Sequence, residues 1–82
     1  MEVKLSPKVK KYVQTLNEPI KGHIKKALLR LEQNPPEGDI KAMSVNNRFR
    51  LRVGGYRILF DIDGQVIFVH EIDLRGQIYK KR

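Results

Sequence analysis

The sequence has no cysteine, only two histidines and no long apolar run. Without cysteine there are no disulfides, thiolate zinc sites or cysteine nucleophiles, and the chain fits a reducing compartment. His23 falls in a segment of helical period and His70 in one of strand period, so paired-histidine catalysis is not expected. No stretch approaches the roughly 18–20 apolar residues of a membrane-spanning helix. The opening MEVKLSPK carries no apolar signal region, and a cytoplasmic protein without membrane association is expected. Asp61, Asp63, Glu71 and Asp73 lack metal-ligand spacing and stand among arginines. They read as salt-bridge partners and turn formers, so neither a metal nor another cofactor is expected.

Positive charge is what the chain has in excess. Seventeen Lys and Arg against nine Asp and Glu give a formal charge of +8. Such a balance draws polyanions: nucleic acid, an acidic protein or an anionic surface. The 82 residues make one domain, residues 1–82. A chain this short buries only about 60% of its unfolded surface, which leaves one modest core.

The hydrophobic period divides the chain in two. Residues 2–5 alternate as a half-buried strand does. Ser6-Pro7 supplies an N-cap and a first-turn proline for a helix continued by Val9, Val13 and Leu16, with Tyr12 beside them. Asn17 to Pro19 interrupts it. A second helix carries Ile20, Ile24, Ala27, Leu28 and Leu31 on one face, and Asn34-Pro35-Pro36-Glu37-Gly38 ends it. From Asp39 the period becomes two. Strands are predicted around Phe49–Val53, Tyr56–Ile62 and Val66–Ile72, with hairpin turns at Gly54-Gly55 and Asp63-Gly64. The predicted order is β-α-α-β-β-β: an α+β fold with a helical hairpin on a mostly antiparallel four-stranded sheet.

The first hairpin carries the most specific signal. A two-residue turn at Gly54-Gly55 pairs Val53 with Tyr56, Arg52 with Arg57, Arg50 with Leu59 and Arg48 with Asp61, and paired residues share a face. Phe49, Leu51, Val53, Tyr56, Ile58 and Phe60 then face the core, while Arg48, Arg50, Arg52 and Arg57 share the other side. A one-residue slip would bury the arginines, so the register is well determined. A two-residue turn at Asp63-Gly64 would set His70 opposite Arg57 on the arginine side; a three-residue turn would reverse its parity. One reading of this face is a solvated polar surface with Arg48 paired to Asp61. The other is planar, bidentate recognition of phosphate, which Arg suits better than Lys. RNA brings its own nucleophile, the 2′-hydroxyl, so arginines preorganised around a phosphodiester can supply the electrostatic part of its cleavage. Tyr79, among Arg75, Lys80, Lys81 and Arg82, reads either as a proton carrier or as an aromatic that packs on the sheet or stacks on a base.

The run RFRLRVGGYRILFDID followed by VIFVHEIDLRGQIYK resembles the RelE/ParE superfamily of type II toxin–antitoxin toxins, and more narrowly its RelE-like mRNA interferase branch. The likeness extends over nearly the whole chain, because the β-α-α-β-β-β order matches too. It implies a ribosome-dependent mRNA endonuclease that cleaves by metal-independent 2′-hydroxyl attack, and an acidic antitoxin as partner alongside the ribosome and its mRNA. By position, the resemblance assigns Arg57 to the scissile phosphate, Arg75 to leaving-group protonation, and Tyr79 to stacking or proton abstraction. It assigns Arg48, Arg50, Arg52 and Lys80 to RNA contacts. Many relatives have Gly-His where this chain has Asp73-Leu74, and another branch carries a glutamate base on the strand that here bears only arginines. Both departures point away from a histidine or glutamate mechanism and leave the general base unassigned. A ParE-like toxin that inhibits DNA gyrase without cutting is the alternative the same fold allows.

Overall fold

The computed structural model describes residues 1–43 and 48–74. The elements run β1 (Glu2–Leu5), α1 (Pro7–Thr15), α2 (Ile20–Arg30), β2 (Asp39–Ala42), β3 (Arg48–Val53), β4 (Tyr56–Asp63) and β5 (Val66–Leu74). The five strands form one sheet in the order β1-β5-β4-β3-β2. Only the β1–β5 pair is parallel; the other three are antiparallel. The α+β class and the helical hairpin are as the sequence predicts, but the sheet has five strands where four are predicted. The added strand is β2, whose four residues contain one half-buried apolar side chain, Ile40, too brief an alternation to stand out.

Local chemistry accounts for the elements. Ser6 caps α1 by accepting a hydrogen bond from the Val9 amide at 3.2 Å, and Pro7 occupies the first turn. Pro19 offers no side-chain cap to α2, and the Glu18 carboxylate instead accepts from the Gly22 amide at 3.0 Å. Val9 and Val13 of α1 and Ile24, Leu28 and Leu31 of the α2 segment pack on Leu51, Ile58, Phe60, Ile67, Val69 and Ile72 of the sheet. Among the described residues the helices lie on this face alone, so each central strand alternates between core and outward positions.

Gly38 immediately precedes β2 at φ 137°, a backbone region that L side chains rarely adopt. A Cβ there would stand 2.6 Å from Cδ1 of the buried Leu51. Gly38→Ala is therefore expected to cost about 1–3 kcal/mol through strain and overpacking, read as a lower urea midpoint with an unchanged slope.

Candidate functional site

Register assembles the bare face row by row. In the β3–β4 hairpin Arg48 lies opposite Asp61, Arg50 opposite Leu59, Arg52 opposite Arg57 and Val53 opposite Tyr56, the pairing the Gly-Gly turn predicts. The edge strand extends two rows, with Asp39 beside Arg52 and Lys41 beside Arg50. On the other flank Asp73 lies beside Arg57, Glu71 beside Leu59 and Phe68 beside Asp61, and Lys4 of β1 flanks Phe68. One row thus reads Asp39, Arg52, Arg57, Asp73; the next reads Lys41, Arg50, Leu59, Glu71. Lys41 and Lys4 are cations of this face that hydrophobic pattern alone did not single out. The alternation of Asp39-Ile40-Lys41-Ala42 is the signal that places Lys41.

The arginines are not equivalent. Arg48 Nε donates to Asp61 Oδ1 at 2.6 Å, and Arg57 Nη2 donates to Asp73 Oδ2 at 3.2 Å. Two of the four guanidinium groups therefore have carboxylate partners that relieve their mutual repulsion, as the solvated-face reading anticipates for Arg48. The Arg57–Asp73 pair is the more enclosed, at 25% and 24% side-chain exposure. Arg50 Nη1, Arg57 Nε and Asp73 Oδ1 are buried and have no hydrogen-bond partner among the described residues. An unpaired buried N–H group costs free energy until an acceptor reaches it. The two orphan donors belong to arginines in adjacent rows of neighbouring strands, which suits an anion lying between them. Arg52 is exposed.

His70 reaches this face by a route the sequence reading does not predict. The β4–β5 turn is Gly64-Gln65, one residue later than expected, with Asp63 paired to Val66 and Gly64 at φ 62°. The residue opposite Arg57 is consequently Asp73, not His70. The register slips between Leu59 and Phe60, so His70 and Glu71 together oppose Leu59 in a β-bulge. The bulge lets both Val69 and Ile72 reach the core, where a regular strand would have buried Glu71 and exposed Ile72. His70 Nε2 lies 2.7 Å from Asp61 Oδ2. Asp61 thus joins Arg48 to His70, one oxygen to each. His23 is exposed on α2, away from this cluster.

Burial opposes ionisation of Asp61, but hydrogen bonds from Arg48 and His70, with their charges, outweigh it and hold the carboxyl below its usual range. A carboxylate with a depressed folded pKa adds stability above its unfolded value near 3.9, and that stability fades as pH falls through the folded value. Asp61→Asn is expected to cost about 1–2 kcal/mol at pH 7, the range for a charged hydrogen bond reduced for partial exposure. Urea unfolding at pH 7 and pH 3 should show the difference between the two proteins shrinking at the acid end.

Arg75, Tyr79 and Lys80 lie outside the described residues, so the hairpin arginines are the predicted site residues whose placement is seen. No group of three or more His, Cys, Asp or Glu side chains forms a metal cluster among the described residues. No helix among them is long and apolar enough to cross a membrane. On the helical side, one apolar groove is lined by Lys8, Val9, Lys11, Tyr12, Thr15 and Ile72. In it Tyr12 has its pKa raised, first by burial and then by Tyr56 and the Asp73 carboxylate. A second is lined by Val3, Leu5, Lys25, Leu28, Leu29 and Glu32, with Leu29 59% exposed.

The family model of the ParE toxin of the type II toxin–antitoxin system, parDE, matches residues 3–79. No curated protein matches the sequence significantly. Among solved structures, the archaeal RelE–RelB complex from Pyrococcus horikoshii OT3 aligns with a TM-score of 0.76 at 24% identity, over 93% of this chain and 96% of that one. The RelB–RelE antitoxin–toxin complex from Methanococcus jannaschii gives 0.73 at 23% identity, over 94% and 95%. The isolated E. coli RelE toxin gives 0.74 at 17% identity, over 98% and 92%. At such identities the structural likeness is one of fold.

Proposed function

The chain belongs to the ParE toxin family of type II toxin–antitoxin systems, within the RelE/ParE superfamily, and on the strength of its arginine face we propose that it is a RelE-like endoribonuclease acting on ribosome-bound mRNA. The observation that carries this reading is the pair of buried guanidinium nitrogens without a partner among the described residues, Arg50 Nη1 and Arg57 Nε, on the face opposite α1 and α2. Here Arg57 contacts the scissile phosphate and stabilises the charge that grows as the 2′-oxygen attacks. Arg48, Arg50 and Arg52 hold the flanking backbone, with Lys80 as a further phosphate contact. Arg75 serves the leaving oxygen, and Tyr79 stacks on a base or carries a proton. The RNA supplies the nucleophile, so the protein's part is to position, to neutralise charge and to move protons. Action at the ribosome places the toxin in the cytoplasm.

The proposed partner is a cognate acidic antitoxin. The formal charge of +8 favours an acidic chain. The apolar groove around Leu28 and the exposed Leu29 suits an amphipathic segment laid along it.

A second reading is a ParE-like inhibitor of DNA gyrase. The family match favours it, as does the pairing of Arg48 and Arg57 with carboxylates, which leaves fewer cations unengaged. Purified toxin added to translating ribosomes decides between them. Message cut within codons supports the endonuclease; intact message with supercoiling by gyrase blocked supports the inhibitor.

A further inference from the structure

We propose that His70, oriented by Asp61 and set out of the strand by the β5 bulge, is the proton acceptor for the 2′-hydroxyl; the inference rests on the endonuclease reading. The arginines cannot fill this role, because guanidinium stays protonated at any working pH. Glu71 shares the bulge but lies 3.8 Å from Lys8 in an exposed ion pair.

Three features of the structure set His70 apart from a surface histidine. The first is its place on the face. Together with Glu71 it opposes Leu59, which lies across from Arg50 and between Arg57 and Asp61 along β4. Adjacent strands lie about 4.8 Å apart, so His70 stands one strand from Arg57 and two from Arg50. The second is its orientation. Asp61 is already engaged by Arg48 and, as an ionised carboxylate, can only accept. The 2.7 Å contact therefore places the hydrogen on His70 Nε2 and leaves the lone pair on Nδ1. The third is the fixed backbone. The Ser6 amide donates to the Val69 carbonyl at 3.0 Å and the Ser6 hydroxyl to the His70 carbonyl at 3.2 Å, which ties the bulge to the start of α1. The same hydroxyl accepts from Val9, so its hydrogen-bonding capacity is in use on both sides.

The step balances simply. The 2′-hydroxyl proton passes to His70 Nδ1 as the 2′-oxygen bonds to phosphorus. The bond from phosphorus to the 5′-oxygen then breaks, and the leaving oxygen takes a proton that comes ultimately from solvent. The products are a 2′,3′-cyclic phosphate and a 5′-hydroxyl; the imidazolium returns its proton to water. Asp61 stays ionised and steadies the imidazolium. The charged groups on the elements next to His70 are Arg57 and Asp61 on β4, Arg48 and Arg50 on β3, Glu71 and Asp73 on β5, Lys4 on β1 and Lys8 on α1. Among the described residues, Asp61 is the one that meets the ring within hydrogen-bond distance.

Single-turnover cutting of ribosome-bound mRNA tests the inference with two variants. His70→Gln retains an amide donor for Asp61 but no titratable nitrogen, and His70→Ala leaves space for a small base. Both are expected to cut about a hundredfold more slowly than wild type while binding the ribosome equally well. The wild-type rate should rise with pH as a general base is freed of its proton, and the variants should lose that rise. Imidazole in the buffer should restore His70→Ala, and not His70→Gln. Wild-type cutting with an undiminished rate or an unchanged pH profile in His70→Gln overturns the inference alone, reducing His70 to a support for Asp61. A wild-type chain that leaves the message intact overturns it together with the endonuclease reading.

Discussion

Under the proposed endonuclease function, Arg57→Ala is expected to slow cutting of ribosome-bound message by about 10²- to 10³-fold, the effect of removing one preorganised donor from a developing oxyanion. That loss has a competing explanation, because Arg57 is also the counterion of Asp73, at 3.2 Å in a pair only about a quarter exposed. Removing the arginine leaves a half-buried carboxylate unpaired, which destabilises the fold whatever the residue does in catalysis. Arg57→Lys separates the two. An ammonium can still neutralise Asp73, so folding stability should stay near wild type, but it is a point charge without the planar fork. It cannot hold Asp73 with one nitrogen while presenting a second, as Nη2 and Nε do here. Most of the cutting rate should therefore be lost in Arg57→Lys while the urea midpoint is kept. Were Arg57 only a structural counterion, the lysine variant would cut like wild type. Measuring kcat/KM beside urea unfolding for all three proteins decides the matter.

This dual engagement of Arg57 shows where sequence reading succeeds and where it stops. The strict alternation of Arg48, Arg50 and Arg52 with Phe49, Leu51 and Val53, closed by Gly54-Gly55, fixes the β3–β4 register from local information alone. Ser6-Pro7 fixes the start of α1 in the same way. What neighbours each arginine across β5 depends on where the second turn falls and on whether the strand stays regular, and neither is a local matter. The turn uses Gly64-Gln65, which moves every partner on β5 by two positions, and the bulge then moves the far half by one more. Asp73 thereby comes to Arg57, and His70 to Asp61. The sequence does carry a mark of the bulge. In Ile67-Phe68-Val69-His70-Glu71-Ile72 two polar residues stand between apolar ones where alternation requires one, and a bulge is how a strand keeps both Val69 and Ile72 inside. The edge strand β2 is harder to see, since its pairing with β3 depends on a chain return rather than on its own composition. Arg75, Tyr79 and Lys80 lie outside the described residues, so the structural support for the site comes from the hairpin and the bulge.

Phe60→Ala is expected to remove about 3–5 kcal/mol of stability, the cost of deleting a fully buried phenyl ring. Phe60 is 0% exposed and is the largest fully buried side chain of the core. It stacks on Phe49 with ring centroids 5.6 Å apart, and its outward neighbour on β4 is Asp61, which holds Arg48 and His70. A domain of this size has in total only about 4–12 kcal/mol, at the usual 0.05–0.15 per residue. The melting temperature should accordingly fall by at least about 12 °C, since each kcal/mol is worth about 4–8 °C in domains of 60–100 residues. Phe49→Ala, at a half-buried position on the neighbouring strand, should cost clearly less, because part of its ring is already in contact with water. The ordering tests the sheet register as well as the packing. If β4 were slipped by one residue, Phe60 would face solvent and Asp61 the helices, and alanine at 60 would then be nearly silent. Urea unfolding of the two variants, with the slope checked against wild type, therefore tests together the core and the alternation that places Asp61 on the arginine face.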